Sequence, residues 1–303
     1  MDIRYVLEEK AKRYRAKPAI IFKNQTISFD ELNQKVIRLA SVLSELGIKK
    51  SDKVGIFLPN CPEYVYSYLA CFYLGAVAVP LDYLLKSEEM ISCLSHSDTK
   101  VLIALPKNEI SFQEIKGTVP SLKFVLSIGE PNPTEPFVRS YAQLMGSAQS
   151  HLPAVKVDDA DPALILYTSG TTGRPKGIQL NYKHLEGSPR AMEYFVDLSD
   201  RDIKLVAIPF SHVAGFIYIQ NCIIFGISLG VMVRFHPLEF LKNVAAYNVT
   251  CFHIVPAMYT AFLTVKNIDK SISRRCGGSW FSARPAPRRF SNGFAPIARK
   301  PSF

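Results

Sequence analysis

The sequence predicts an α/β fold built in layers, and two patterns carry that expectation. Short, continuous apolar runs such as residues 54–58 alternate with stretches whose apolar residues recur at helical spacing. The run Ala163-Leu164-Ile165-Leu166-Tyr167 then reads as a buried strand that feeds directly into a glycine- and hydroxyl-rich loop.

Taken in order, residues 19–22 and 26–29 suggest two strands around Asn24. Ser28 and Glu31 have the S-x-x-E spacing of a capping box, which predicts a helix running to about Leu46, with Gly47 placed to end it. Leu32, Val36, Leu39, Leu43 and Leu46 fall on one face of that helix. Residues 54–58 form an unbroken apolar run, as expected of a strand covered on both faces. A helix from about Glu63 to Leu74 follows, then Gly75 and a strand at 76–79. The alternation continues with a helix at 88–94 and strands at 101–105 and 124–128. Beyond the glycine-rich loop the pattern gives a helix after Asn181, a strand at 205–208, a helix at 214–225, a strand at 229–233, a helix at 238–247 and a strand at 250–255. Prolines at 131, 133, 136 and 153 mark irregular connections rather than a domain break. No internal repeat is evident.

The bulk properties narrow the class. A chain of 303 residues with 48% hydrophobic and 11% aromatic content can bury a substantial core and is not of disordered composition. The six cysteines are scattered without C-x-x-C pairs or metal-ligand spacing, and most sit in apolar runs; they are expected to be reduced, buried thiols, and the protein cytoplasmic. The charged N-terminus lacks the apolar core of a signal peptide. Residues 205–233 contain no Asp, Glu, Lys or Arg and are numerous enough to span a bilayer. Pro209, Ser211, His212, Gly215, Gln220, Asn221, Gly226 and Gly230 interrupt them, so the expectation is a loop, a buried helix and a buried strand, with no transmembrane helix. Peripheral membrane contact stays open.

The formal charge of +10 is concentrated at one end. Residues 274–303 hold six arginines, one lysine and no acid, which leaves about +3 for the rest. That stretch keeps no apolar period of 2 or 3.6. It is read as the aberrant product of a reading-frame change or recombination scar near Gly278, in preference to a native basic tail. Reading the gene past that codon in its two other frames is the check. Nucleic-acid binding by the tail is not expected, because it lacks a folded scaffold with interleaved aromatics.

The chemistry concentrates in Tyr167-Thr168-Ser169-Gly170-Thr171-Thr172-Gly173-Arg174-Pro175-Lys176-Gly177. Gly170, Gly173 and Gly177 let the backbone turn and bring N–H groups against a ligand. Thr168, Ser169, Thr171 and Thr172 add short donors, and Lys176 adds a mobile cation. These are the parts of a polyphosphate cradle, an anion nest with one ammonium group. The spacing G-x-x-G-x-x-K is not that of a Walker A loop. A solvated turn between strands is the plain alternative.

This stretch, followed by Ile178-Gln179-Leu180-Asn181, resembles the phosphate-loop signature of the acyl-adenylate-forming (AMP-binding) superfamily, which includes acyl-CoA synthetases, luciferases and peptide-synthetase adenylation domains. Ile208-Pro209-Phe210-Ser211-His212-Val213-Ala214-Gly215 resembles the family's second core motif. Phe252-His253-Ile254-Val255-Pro256-Ala257-Met258-Tyr259 is similar to the strand-to-helix segment after it. Thr26-Ile27-Ser28-Phe29-Asp30-Glu31-Leu32 and Val54-Gly55-Ile56-Phe57-Leu58-Pro59-Asn60 fit the family's opening.

The resemblance covers residues 1–273 and implies the layered α-β-α sheets of the large N-terminal domain of adenylate-forming enzymes, incomplete here. It implies an acid–CoA ligase for fatty or other hydrophobic carboxylates, with ATP, Mg²⁺ and coenzyme A, forming acyl-AMP and then a thioester. Alternatives are an adenylation domain loading a carrier protein, or a non-catalytic remnant. Carried over residue by residue, Thr168, Ser169, Gly170, Thr171, Thr172, Gly173 and Lys176 bind the nucleotide phosphates. His212 would orient the reacting carboxylate or gate its pocket, against the plainer reading of a hydrogen-bonded core histidine. His253 is read as structural. Residues 214–225 would either line an acyl tunnel or serve as plain core. The family's aromatic-Gly-x-Thr-Glu segment, ribose-binding Asp, hinge and small C-terminal domain with its lysine are not found in residues 274–303, so the chain is expected not to turn over as given.

Overall fold

The structure, a computed structural model, describes residues 3–130, 135–148, 155–168, 175–185, 187, 189 and 198–262. The first half of the chain runs α1 (Ile3–Tyr14), β1 (Pro18–Phe22), β2 (Gln25–Ser28), α2 (Phe29–Glu45), β3 (Lys53–Phe57), α3 (Pro62–Tyr73), β4 (Val77–Leu81), α4 (Ser87–His96), β5 (Thr99–Ala104), α5 (Phe112–Thr118), β6 (Phe124–Ser127), β7 (Val138–Ser140) and α6 (Tyr141–Ser147). The second half runs β8 (Pro162–Thr168), β9 (Lys176–Asn181), a 3₁₀ turn at Tyr182–Leu185, β10 (Ile203–Val206), α7 (Val213–Phe225), β11 (Ser228–Val231), α8 (Pro237–Ala246), β12 (Cys251–Phe252) and α9 (Pro256–Phe262).

The strands form two sheets. One has seven strands in the order β7-β6-β5-β3-β4-β8-β9, and the other has five in the order β12-β10-β11-β1-β2. Among the described residues all pairings are parallel except the two hairpins, β1 with β2 and β8 with β9. Strand β1 is therefore not an isolated opening hairpin. It pairs with β11 through Ile20↔Leu229, which ties the start of the chain to residues more than 200 positions later.

Local chemistry explains the main elements. At the start of α2, Ser28 Oγ accepts from Glu31 N (3.2 Å) while Glu31 Oε2 accepts from Ser28 N (2.8 Å), closing the predicted box. Gly47 then takes φ +84° and ends the helix. Helix α3 opens with Pro62 at N1 and is buried over nearly its whole length, because it lies in the core between layers. Its rings continue into the second half of the chain: Tyr68 lies 5.0 Å from Phe216, and Tyr64 lies 5.7 Å from Phe210. Helix α7 buries Phe216, Ile219, Cys222 and Ile223 in the same cluster, so that face is plain core rather than a tunnel wall.

Several expectations need correction. The strand expected at 250–255 is only Cys251–Phe252, because Pro256 lacks an N–H and starts a helix, leaving three residues of irregular approach. Helices α1, α5 and α6 and strand β7 were not expected: they are short, or bury few residues among many charges. The helix expected after Asn181 begins as the 3₁₀ turn, and most of residues 186–197 lie outside the described residues. Cys71, Cys93, Cys222 and Cys251 are buried free thiols, and Cys61 is partly buried. Among the described residues no helix is long and apolar enough to cross a membrane. Residues 274–303 lie outside the described residues.

Candidate active site at the crevice between the sheets

Strands β8 and β9 form a hairpin whose final register pair is Thr168↔Lys176. A six-pair antiparallel ladder thus brings together the two ends of the glycine-rich segment, Thr168 at the end of β8 and Lys176 at the start of β9. Lys176 belongs to β9 rather than to the loop proper, and is exposed. Ser169, Gly170, Thr171, Thr172 and Gly173 lie outside the described residues.

Gly177 corrects the expectation drawn from the motif. It sits within β9, opposite Tyr167, and a Cβ there would meet Ile165 Cγ2 at 3.1 Å and Tyr167 Cε1 at 3.2 Å. Its role is close cross-strand packing, not turning. Tyr167 is fixed in turn: its hydroxyl donates to the Cys93 carbonyl (2.9 Å) and lies 2.8 Å from His96 Nδ1. Burial pushes the Tyr167 phenol up to about 12, so it stays protonated.

Thr168 and His212 line one cleft of about 300 Å³, together with Asp82, Pro175 and Ser211. Asp82 follows the carboxyl end of β4, Thr168 ends β8, and Ser211 and His212 follow β10 of the other sheet. The cleft therefore sits where open α/β sheets characteristically bind ligands, beyond the carboxyl ends of parallel strands.

His212 is the N-cap residue of α7, and its side chain is 56% exposed. Its Nε2 lies 3.3 Å from Asp82 Oδ2, and Asp82 Oδ1 accepts from Leu84 N (2.9 Å). The hydrogen bond to Asp82 raises the pKa of His212 against the opposing effect of burial. The bond from His212 likewise lowers that of Asp82, again against burial. A protonated His212 and an ionised Asp82 coexist below the raised imidazole pKa and above the lowered carboxylate one. Their mutual stabilisation is fully present between about pH 4 and pH 6.5. It is lost as pH rises through the folded His212 value or falls through that of Asp82. An NMR titration should find His212 above its ordinary value, and Asp82→Asn should return it towards that value. An unshifted His212 in the parent chain would contradict the pairing.

The loop that presents His212 is held from the first sheet. Asn60 is buried; its Nδ2 donates to Ile208 O (3.0 Å) and its Oδ1 accepts from Phe210 N (2.7 Å). The Tyr68 hydroxyl donates to Phe210 O (3.0 Å). Gly215, in the first turn of α7, lies so close to this loop that an added Cβ would stand 2.1 Å from Pro209 O. Asn60→Leu should cost about 2–3 kcal/mol, since it strands a buried N–H and a carbonyl. Chemical denaturation is the check, and an unchanged midpoint would show the bonds to be dispensable. Asn60 is marked in the sequence only as the end of the opening motif, and Tyr68 and Asp82 carry no signal there, because each acts on a segment at least 130 positions away.

This two-sheet architecture, with a glycine-rich hairpin at the crevice, is that of the N-terminal domain of adenylate-forming enzymes. The structure superposes on the N-terminal domain of FACL13 from Mycobacterium tuberculosis with a TM-score of 0.78 at 26% identity, covering 87% of this chain and 65% of that one. A long-chain-fatty-acid–CoA ligase from Archaeoglobus fulgidus gives 0.79 at 26% identity, covering 87% and 53%. O-succinylbenzoate coenzyme A synthetase from Bacillus subtilis, solved in complex with AMP, gives 0.75 at 25%, covering 88% and 52%. The chain belongs to the AMP-binding enzyme family, which matches residues 7–297. Among curated proteins, the crotonobetaine/carnitine–CoA ligase of Salmonella paratyphi A is 31% identical over 221 residues, 70% of this chain. The chain spans 42% of the length of that relative.

Proposed function

We propose that this chain carries the carboxylate-activating site of an ATP-dependent acid–CoA ligase acting on fatty or other hydrophobic acids. The observation that carries the reading is the shared cleft bordered by Thr168, at the mouth of the glycine-rich hairpin, and by the His212–Asp82 pair.

The first half-reaction is an in-line attack of a carboxylate oxygen on the α-phosphorus of ATP, which expels pyrophosphate. Both reactants are anions, so the site must neutralise charge and align the two groups. Residues 168–173 and Lys176 are assigned to the β- and γ-phosphates of the leaving group, the lysine as a cation on an otherwise neutral nest. Mg²⁺, bound to the nucleotide as Mg·ATP, would offset charge on the phosphate oxygens. His212, whose protonated form Asp82 favours, is assigned to the incoming carboxylate. Its charge predicts that acid binding weakens as pH rises through its pKa. Transfer of the acyl group to coenzyme A is assigned to the whole enzyme in which this domain occurs.

ATP–pyrophosphate exchange with a panel of acids tests the reading, in the chain completed with the C-terminal portion of its relatives. Exchange that depends on a hydrophobic acid is expected, followed by thioester formation with coenzyme A. Acid-independent ATP hydrolysis, or acyl transfer only to a carrier protein, would contradict it.

A further inference from the structure

A second cavity, of about 520 Å³, opens where α2, α3 and α6 meet beside β2 and the end of β6. It shares no lining residue with the cleft, and the chemistry above does not use it. Its inner wall is aromatic. Tyr66 on α3 and Tyr141 at the start of α6 are 5% and 8% exposed, and the buried Met145 follows Tyr141 by one turn of α6. The Tyr141 hydroxyl is shut off from solvent and has no hydrogen-bond partner, so the cavity meets the ring and not its polar tip. Burial raises the pKa of both phenols, and neither adds negative charge.

Two cations stand at the rim. Lys35 and Arg38 are exposed, line the cavity and are three residues apart on α2, which makes them neighbours on one face. Among the described residues neither has a hydrogen bond or an ion pair. Glu31 is close enough to Lys35 to be stabilised by it, yet its Oε2 already accepts from Ser28 N (2.8 Å) and Ser28 Oγ (2.9 Å). Glu63 is the only carboxylate among the lining residues, and it lies in the first turn of α3, where the helix N-terminus favours it. Two cations against one acid leave the lining with one surplus positive charge.

Cavities of roughly 300–1,000 Å³ with apolar walls and a few polar groups are of the size that holds small organic molecules. Tyrosine rings favour a flat aromatic body through offset or edge-on contact, and a methionine sulfur adds to that preference. Cations at the rim favour an anionic head, and a guanidinium fork suits the two oxygens of a carboxylate. We propose that this cavity binds an aryl carboxylate, with its ring against Tyr66 and Tyr141 and its head on Lys35 and Arg38. The site stands whether or not the ligase reading does.

NMR titration of the 303-residue chain, labelled at the methionine methyl groups, with naphthoate and with the neutral naphthylmethanol tests it. Naphthoate should shift the Met145 methyl signal saturably, a signal identified by its loss in Met145→Leu, while the His212 ring signals stay in place. The alcohol should bind about tenfold more weakly, the usual worth of one charge-assisted hydrogen bond. That comparison needs no variant. Replacing both cations, Lys35→Gln with Arg38→Gln, should erase the difference between acid and alcohol. No shift at Met145, equal binding of acid and alcohol, or a preference undiminished in the double variant would overturn the site. So would octanoate that binds as tightly as naphthoate, or sulfate that displaces naphthoate from a bare patch of charge. Shifts confined to His212 would put the acid in the cleft, which supports the ligase reading and removes this site. A saturable Met145 shift in a chain that binds no Mg·ATP would do the reverse.

Discussion

Gly215→Ala should lower the unfolding free energy by about 3 kcal/mol, at the upper end of what a single added methyl does in a packed region. The neighbours of the missing Cβ are Pro209 O at 2.1 Å, Pro209 C at 2.7 Å and Phe210 Cα at 2.7 Å. All are backbone, so no side chain can swing aside. The obstructed segment is also pinned by Asn60 and Tyr68, which stops the loop from retreating without breaking buried hydrogen bonds. The strain should appear at His212, three residues before Gly215, as a loss of the Asp82-dependent shift. Gly117→Ala, in α5, is the matched control: nothing lies within 4 Å of its Cβ, and alanine favours a helix by up to about 1 kcal/mol. Denaturation midpoints that move alike in the two variants would refute the packing argument.

In the chain completed with the C-terminal portion of its relatives, Lys176→Ala should slow ATP–pyrophosphate exchange by about 10²–10³, the usual loss when one well-placed charge-stabilising group is removed from a reacting site. Thr168 and Lys176 form the last register pair of the hairpin, so the ladder fixes the backbone of the lysine beside that of the threonine. An effect confined to stability would appear in denaturation and leave exchange intact. The neighbouring exposed Gln179, on the same strand, gives a control that changes the strand surface without touching the charge. Exchange rates that stay equal in Lys176→Ala and the parent would remove the lysine from the chemistry.

The range of each interaction decides how legible it is in the sequence. The Ser28–Glu31 box, the Gly47 stop and the apolar face of α2 are settled within a few residues, and all are visible there. The parallel strands at 53–57, 77–81 and 99–104 announce themselves because both faces are covered. Short elements such as Val138–Ser140 carry too few apolar residues to set a period. The partition into two sheets is hidden for another reason, since β1 gains its neighbour from β11 at the other end of the domain. At the site, Thr168 and His212 can be named from their motifs. Asp82 cannot: a lone carboxylate after a strand gives no hint of an imidazole 130 positions later. Gly177 misleads because a glycine beside a turn motif and a glycine under a cross-strand ring look identical in sequence.

The hairpin of residues 168–176 is assigned to the polyphosphate of ATP. Calorimetric titration of Mg·ATP into the 303-residue chain, beside Lys176→Ala and a Thr168→Val variant, addresses it most directly. Saturable binding that weakens at least tenfold in Lys176→Ala, and measurably in Thr168→Val, is the predicted result; binding of equal strength in all three chains, or none in the parent, would contradict it.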